Sequence, residues 1–232
     1  MAACSSGGST LPRYGPADPA GRPLDRGAPR FKSREMTASP IADKPSRRQA
    51  SHTRRQDILD AACRMIFERG YSAVGLIEIG AAAGVSGPAI YRHFASKADM
   101  LNVLCNQTVD RLIEFVGPRR SAPADELSAL VSGQVRLAVH YPELVRVFED
   151  EERALPAELR RQLRRRERDH AQRWVDALQR LRPDTPLAEL EILVFATVGL
   201  ILSLPRWPQS VRHSAALERM LLDAAWRVIG PI

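Results

Sequence analysis

The stretch from Gly84 to Lys97, GVSGPAIYRHFASK, limits what this 232-residue chain can fold into more than any other. Glycine reaches left-handed backbone without a Cβ clash, so Gly84 can end one helix and turn the chain sharply. Ser86 offers a capping oxygen, and Pro88 suits the first turn of a helix, where no amide partner is needed. Ile90 and Phe94 stand four apart and turn one face inward, which leaves Arg92 and His93 pointing elsewhere. Ser96, with Asp99 three residues on, opens a further helix in capping-box fashion, although Glu or Gln is the usual partner. The pattern predicts a helix-turn-helix with a short second helix, Gly87 to Phe94, of about two turns.

The flanks agree. Arg54 to Arg69 carries Leu59, Ala62, Cys63, Ile66 and Phe67 at helical spacing, and Gly70 stops it. Leu76 to Ala83 reads as a short apolar helix. Arg54 to Leu104 is thus a three-helix unit with a fourth helix leaving it, from Lys97 to about Val116, where Gly117-Pro118 ends it.

The segments AACRMIFERGY and EIGAAAGVSGPAIYRHFASKADML resemble the DNA-binding domain of the TetR family of bacterial transcriptional repressors. The likeness joins Phe-x-x-x-Gly-Tyr, the Ala-Gly-Val-Ser turn, Tyr-x-His-Phe and a Ser-Lys cap at fixed spacing. It implies that Tyr91, His93 and Lys97 meet backbone phosphates and that Ser86, Gly87, Pro88, Ala89 and Arg92 face the major groove. Val74 and Gly75 depart from the family's hydroxyl residues, so one phosphate-binding hydroxyl is missing. Direct readout then leans on Arg92, on Ala89 or Pro88 against a thymine methyl, and on the arm before Arg54.

The formal net charge is +7, but residues 1–50 hold nine basic against four acidic residues, so most of the excess lies there. That segment is rich in Pro, Gly, Ser and Arg without periodicity and is expected to be a disordered basic tail; Met36 is a possible true start. Arg47, Arg48, Arg54 and Arg55 form either an arm on DNA or a solvated linker. Cys4, Cys63 and Cys105 have no metal spacing, and Cys63 is expected in the core, with Cys105 a possible thiol sensor. Neither a cofactor nor a metal is expected. No secretory h-region is visible, and the apolar run Ile192 to Leu204, about thirteen residues, is short for a membrane span. A cytoplasmic protein with no membrane partner is expected.

The remainder reads as helix throughout: Asp125–His140, Pro142–Glu152, Pro156–Leu181, Leu187–Leu204 and Ser214–Ile229, about nine helices in all. The fold class is therefore all-α. Residues 51–100 form the helix-turn-helix domain and residues 101–232 a helical regulatory, ligand-binding and dimerisation domain. The Pro156 helix bears Arg160, Arg161, Arg164, Arg165, Arg166, Arg168 and Arg173, either a solvated face with i,i+4 pairs or a basic rim for a phosphorylated ligand such as an acyl-CoA. The resemblance implies a dimer through the last two long helices and a ligand cavity among the middle ones. Leu190, Leu193, Val194, Thr197, Val198, Ile201, Leu217, Leu221 and Ala224 are the expected interface, because a helix apolar all round needs cover on several sides. Leu104, Val131, Phe148, Trp174, Leu178, Phe195 and Trp207 are the expected cavity lining. FEDEERALP, from Phe148 to Pro156, is similar to lipid- and steroid-catabolism regulators of the family.

These features point to a ligand-responsive regulator that binds a palindromic double-stranded operator as a homodimer and is released by a small hydrophobic effector, acyl-CoA or lipid-like. The alternative is a helical dimeric interaction or ligand-binding protein that has lost specific DNA binding. His93, His140, His170 and His213 are scattered without a catalytic motif, so no enzymatic activity is expected.

Overall fold

The computed structural model describes residues 47–230, with side chains from residue 52 onward. Of the basic tail, Arg47 to Ala50 belong to the first helix; Met36 and the rest lie outside the described residues.

Ten α-helices and two single 3₁₀ turns make up the described residues, with no strand among them. They are α1 (Arg47–Arg69), α2 (Leu76–Ala82), α3 (Gly87–Ile90), α4 (Lys97–Val116), α5 (Pro123–His140), α6 (Pro142–Glu151), α7 (Ala157–Leu181), α8 (Leu187–Leu202), α9 (Gln209–Arg212) and α10 (Leu217–Ile229). The helix beyond the expected nine is α9, a single turn between Pro208 and His213 that carries too few residues to show a period.

Apolar side chains collect in two clusters. The first joins Ile58, Leu59 and Ile66 of α1 to Ile79, Ile90, Phe94 and Met100, and it takes in Leu144, Val147 and Phe148 of α6. The second joins Val116, Leu127 and Leu130 to Trp174 and Leu178 of α7, Leu190, Val194 and Ile201 of α8, and Leu221 and Ala225 of α10. Helix α4 feeds both, from Met100 at one end to Val116 at the other. At that far end α4 and α5 touch backbone to backbone. A Cβ on Gly133 would lie 2.5 Å from Val116 Cγ2 and 2.9 Å from its main-chain nitrogen, so only glycine fits.

The arginines of α7 are tied across helices more than along their own. Arg166 donates to Asn106 (2.8 Å) and Asp110 (2.5 Å) of α4, and Arg164 pairs with Glu152 at 2.7 Å. Arg173 donates to the buried carboxylate of Glu126 at 2.7 Å and reaches the carbonyl of Gly117. Burial alone would raise Glu126, but Arg173, the amide N–H of Arg120 and the Arg120 guanidinium outweigh it and hold the carboxyl below its usual range. Only Arg161, paired with Glu158, follows the within-helix pattern.

Helix α8 differs from the expectation in length and in facing. It ends at Leu202, two residues short of the expectation, while Leu187–Arg206, which adds the 3₁₀ turn Leu204–Arg206, has mean hydropathy 2.1 and is long and apolar enough by length and composition to cross a membrane. Its inner face is built into the second cluster. Leu190, Val194, Thr197 and Ile201, with Leu217 and Leu221 of α10, are buried within this chain and so cannot be the interface they were expected to form; Leu193, Val198 and Ala224 are half-buried. Helices α5, α7 and α10 use that face. The exposed large apolar side chains of α8 and α10 are instead Leu187 (49%), Ile192 (66%), Phe195 (69%) and Met220 (60%).

Candidate nucleic-acid interface and cavity

Gly84 takes φ +69° and turns the chain between α2 and α3, with the amide of Val85 donating to Gly80 O at 2.7 Å. Helix α3 is shorter than predicted. Its regular part stops at Ile90, and the bonds Arg92 N–Ala89 O and His93 N–Ile90 O carry one tighter turn to Phe94. Ser86 stands at the helix cap in extended backbone, but its hydroxyl caps nothing, contrary to the sequence expectation. That leaves the hydroxyl exposed. Ser96 does cap α4: its Oγ accepts from Asp99 N at 3.0 Å, while Asp99 Oδ2 accepts from Ala95 N at 3.3 Å.

Ile90 and Phe94 anchor the turn in the first cluster. Tyr91 (54% exposed), Arg92, Ser86 and Pro88 face solvent, with Gly87 and His93 half-buried. Ala89, the third of the four residues of α3, is buried in the first cluster, so it is withdrawn as a contact for a thymine methyl. Ile77, which the sequence reading missed, is 57% exposed on α2 and would touch a Cβ placed on Gly87. Its neighbours Leu76 and Ile79 gave the apolar signal, and an exposed isoleucine beside them was invisible in that period. Arg54 is exposed beside Asp57, and Arg55 lies over the Phe94 ring at 4.6 Å.

Lys97 sits differently from a free phosphate contact. Its ammonium donates to Tyr71 O (2.7 Å) and Val74 O (2.9 Å) and lies 4.1 Å from the Tyr71 ring centre. The lysine thereby fixes the turn between α1 and α2, where Val74 is buried and Gly75 N donates to Glu78. An ammonium has three N–H bonds, so one remains for a phosphate.

Between α4, α5, α6, α7 and α8 lies a cavity of about 180 Å³. Phe148, Trp174 and Phe195 border it. Leu104 instead borders a polar cleft of about 370 Å³ with Gln56, Asp60, Arg111 and Glu143. Val131 and Leu178 are fully buried in the second cluster, and Trp207 lines a separate groove beside Met220. An apolar period marks a residue as interior without saying whether it borders a void, and these four were lost for that reason. The cavity also holds Gln134, Glu149, Glu167 and His170. Burial, reinforced by Glu152 and Glu149, pushes the Glu167 carboxyl up to about 7. Burial and then Arg173 hold His170 down at about 4. Trp174 Nε1 donates to His170 Nε2 at 3.1 Å, so neutral His170 carries its proton on Nδ1, which has no partner. Cys63 and Cys105 are buried thiols pushed up to about 12, which removes the thiolate a sensor at Cys105 would need.

A short turn held outward on a three-helix unit, beside an all-helical body with its own cavity, defines a helix-turn-helix protein of the two-part regulatory class. Residues 58–104 match the model of the tetR family of bacterial regulatory proteins, and residues 120–210 match a tetracyclin repressor-like C-terminal domain. The chain belongs to the TetR family. It is 41% identical over 63 residues to the HTH-type transcriptional activator FasR of Mycolicibacterium smegmatis, covering 27% of this chain and 29% of that one. It is 28% identical to the HTH-type transcriptional repressor KstR2 of Mycobacterium tuberculosis, covering 55% and 66%. The chain thus aligns with less than two thirds of the length of these relatives. The same fold occurs in the ketosteroid transcriptional regulator KstR2 of M. tuberculosis (TM-score 0.65, 23% identity, 76% and 92% covered). It occurs again in AibR in complex with isovaleryl coenzyme A and operator DNA (TM-score 0.64, 20% identity, 74% and 95% covered).

Proposed function

We propose that this chain is a repressor that binds a palindromic operator as a homodimer in the cytoplasm and leaves it when a small, largely hydrophobic effector enters the cavity. One observation carries the reading: Ile90 and Phe94 pin a one-turn helix whose other face presents Ser86, Pro88, Tyr91 and Arg92 to solvent. In this reading residues 51–100 read DNA and residues 101–232 bind ligand and partner. Arg92 and Pro88 meet bases, while Tyr91, His93 and Lys97 meet phosphates. Two such helices must lie about 34–36 Å apart to enter successive major grooves, which requires a second copy. Ile192, Phe195 and Met220 are the side chains that second copy would cover. An acyl-CoA or other lipid-like molecule is one chemistry an apolar cavity admits, and the AibR complex supports that class. The reading assigns no enzymatic activity.

The second reading, a ligand-binding helical protein without specific DNA binding, rests on Val74 and Gly75, where a hydroxyl would reach a phosphate. A gel-shift titration with DNA from upstream of the protein's own gene separates the two. Retarded complexes that survive excess nonspecific DNA are expected; their absence favours the second reading.

A further inference from the structure

The cavity combines apolar and aromatic walls with ionisable groups that can carry only negative charge or none. Phe148, Trp174 and Phe195 line it; its titratable residues are Glu149, Glu167 and the neutral His170, and neither Lys nor Arg borders it. Gln134 also borders it with its side chain, which is 3% exposed, and the buried Nδ1 of His170 has no hydrogen-bond partner. Buried polar atoms are almost always paired, so the unpartnered Nδ1 of His170 beside a void points to a missing acceptor on a ligand. Of the arginines whose charge reaches Glu149 and Glu167, Arg206 and Arg164 are already paired with Asp150 (2.6 Å) and Glu152 (2.7 Å), and Arg168 is exposed.

We infer that the effector cavity takes a small apolar amine, its ammonium against the Glu167 carboxylate and among the aromatic walls, with the Gln134 amide receiving a further polar atom. This rests on the reading of the cavity as the site of a small hydrophobic effector and, within that reading, sets aside the acyl-CoA class. Size limits the body of the ligand. An apolar cavity of about 150 Å³ holds a benzene ring, so about 180 Å³ admits one ring with a short arm. Charge limits the head. A carboxylate or phosphate would add negative charge beside two carboxylates with no cation to offset it. An ammonium gains from the carboxylate and from aromatic faces at once. Burial first, and then Glu152 and Glu149, raise Glu167, and an ammonium beside it would favour its charged form.

Calorimetry on the full chain, without DNA, tests this with 2-phenylethylamine, 2-phenylethanol, 3-phenylpropionate and isovaleryl-CoA. The amine is expected to bind at least about tenfold tighter than either anion. Glu167→Gln is expected to weaken the amine about tenfold and leave 2-phenylethanol within about threefold. Should that variant fail to fold by circular dichroism, Gln134→Leu and Glu149→Gln serve, each expected to weaken the amine. An anion binding as tightly as the amine, no amine binding at about 10 mM, or amine binding indifferent to all three substitutions overturns the inference. Displacement of fluorescent operator DNA is read in parallel. An amine that binds as expected but leaves DNA bound counts against the effector role and not against the ligand class.

Discussion

The main-chain N–H of Tyr71 donates to the Glu151 carboxylate over 2.9 Å, joining the turn after α1 to the last residue of α6. Phe148 and Glu149, on the same helix, border the cavity. The DNA-reading unit is thus tied by a charge-assisted bond to the helix that a ligand would press.

Glu151→Ala is expected to cost about 1–3 kcal/mol of stability, the range for losing a hydrogen bond to a charged group. It should also shrink the factor by which effector weakens DNA binding, because linkage requires a contact that differs between the two states. Operator titrations with and without effector check this; an unchanged factor removes Glu151 from the coupling.

Lys97→Ala is expected to act twice. Loss of the bonds to Tyr71 O and Val74 O should lower the melting temperature. Loss of one phosphate contact should weaken binding to all sequences alike and reduce the slope of log K against log salt by about 1. An unchanged slope with a lowered melting point would confine Lys97 to holding the turn.

Arg92→Ala is expected to relax preference at one position of each half-site by about 1–3 kcal/mol if the contact is bidentate. Selection from randomised operators measures it. Ile77→Ala should weaken binding with a smaller effect on preference, since an exposed aliphatic chain offers contact area without hydrogen bonds.

Ile192→Asp is expected to yield monomer by analytical ultracentrifugation and to abolish binding to a full palindrome, because it places a carboxylate on the exposed apolar face of α8. A dimer that survives with unchanged affinity would move the interface elsewhere.

Two buried titrations predict opposite pH trends. Glu167 stands at about 7 when folded against an ordinary 4.5, so its contribution is full below about 4.5 and is lost as pH rises through about 7. His170 stands at about 4 against 6.5, so its contribution is full above about 6.5 and is lost as pH falls through about 4. Relative to the parent protein, Glu167→Gln should therefore gain melting temperature at pH 8 and not at pH 4. His170→Gln should gain more at pH 4 than at pH 8. Thermal scans across this range check both trends, and a reversal of either overturns it.

Helix boundaries were largely legible because their signals are local: Gly84 supplies the left-handed turn, Ser96 the cap, and Pro142, Pro156 and Pro186 stand at helix starts, although α5 begins at Pro123, two residues before the expected Asp125. Facing was legible only where a helix is amphipathic. In α8 nearly every residue is apolar, so nothing local distinguished Val194, buried, from Phe195, exposed. Ala89 was placed on the reading face by the family resemblance, whereas the structure buries it. Contacts between distant segments, such as Lys97 with Val74 and Glu151 with Tyr71, leave no trace in spacing.

The backbone contact at Gly133 has a mechanical result. It clamps the Val116 end of α4, where no side chain can be interposed. Any tilt of that helix must therefore swing its Lys97 end, at a radius of roughly 28 Å for its length. A lever of that reach turns about 5° into roughly 2.5 Å of travel beside the reading turn. A methyl group at position 133 would loosen the fulcrum and let the same push dissipate as a slide, even though residue 133 touches neither ligand nor DNA.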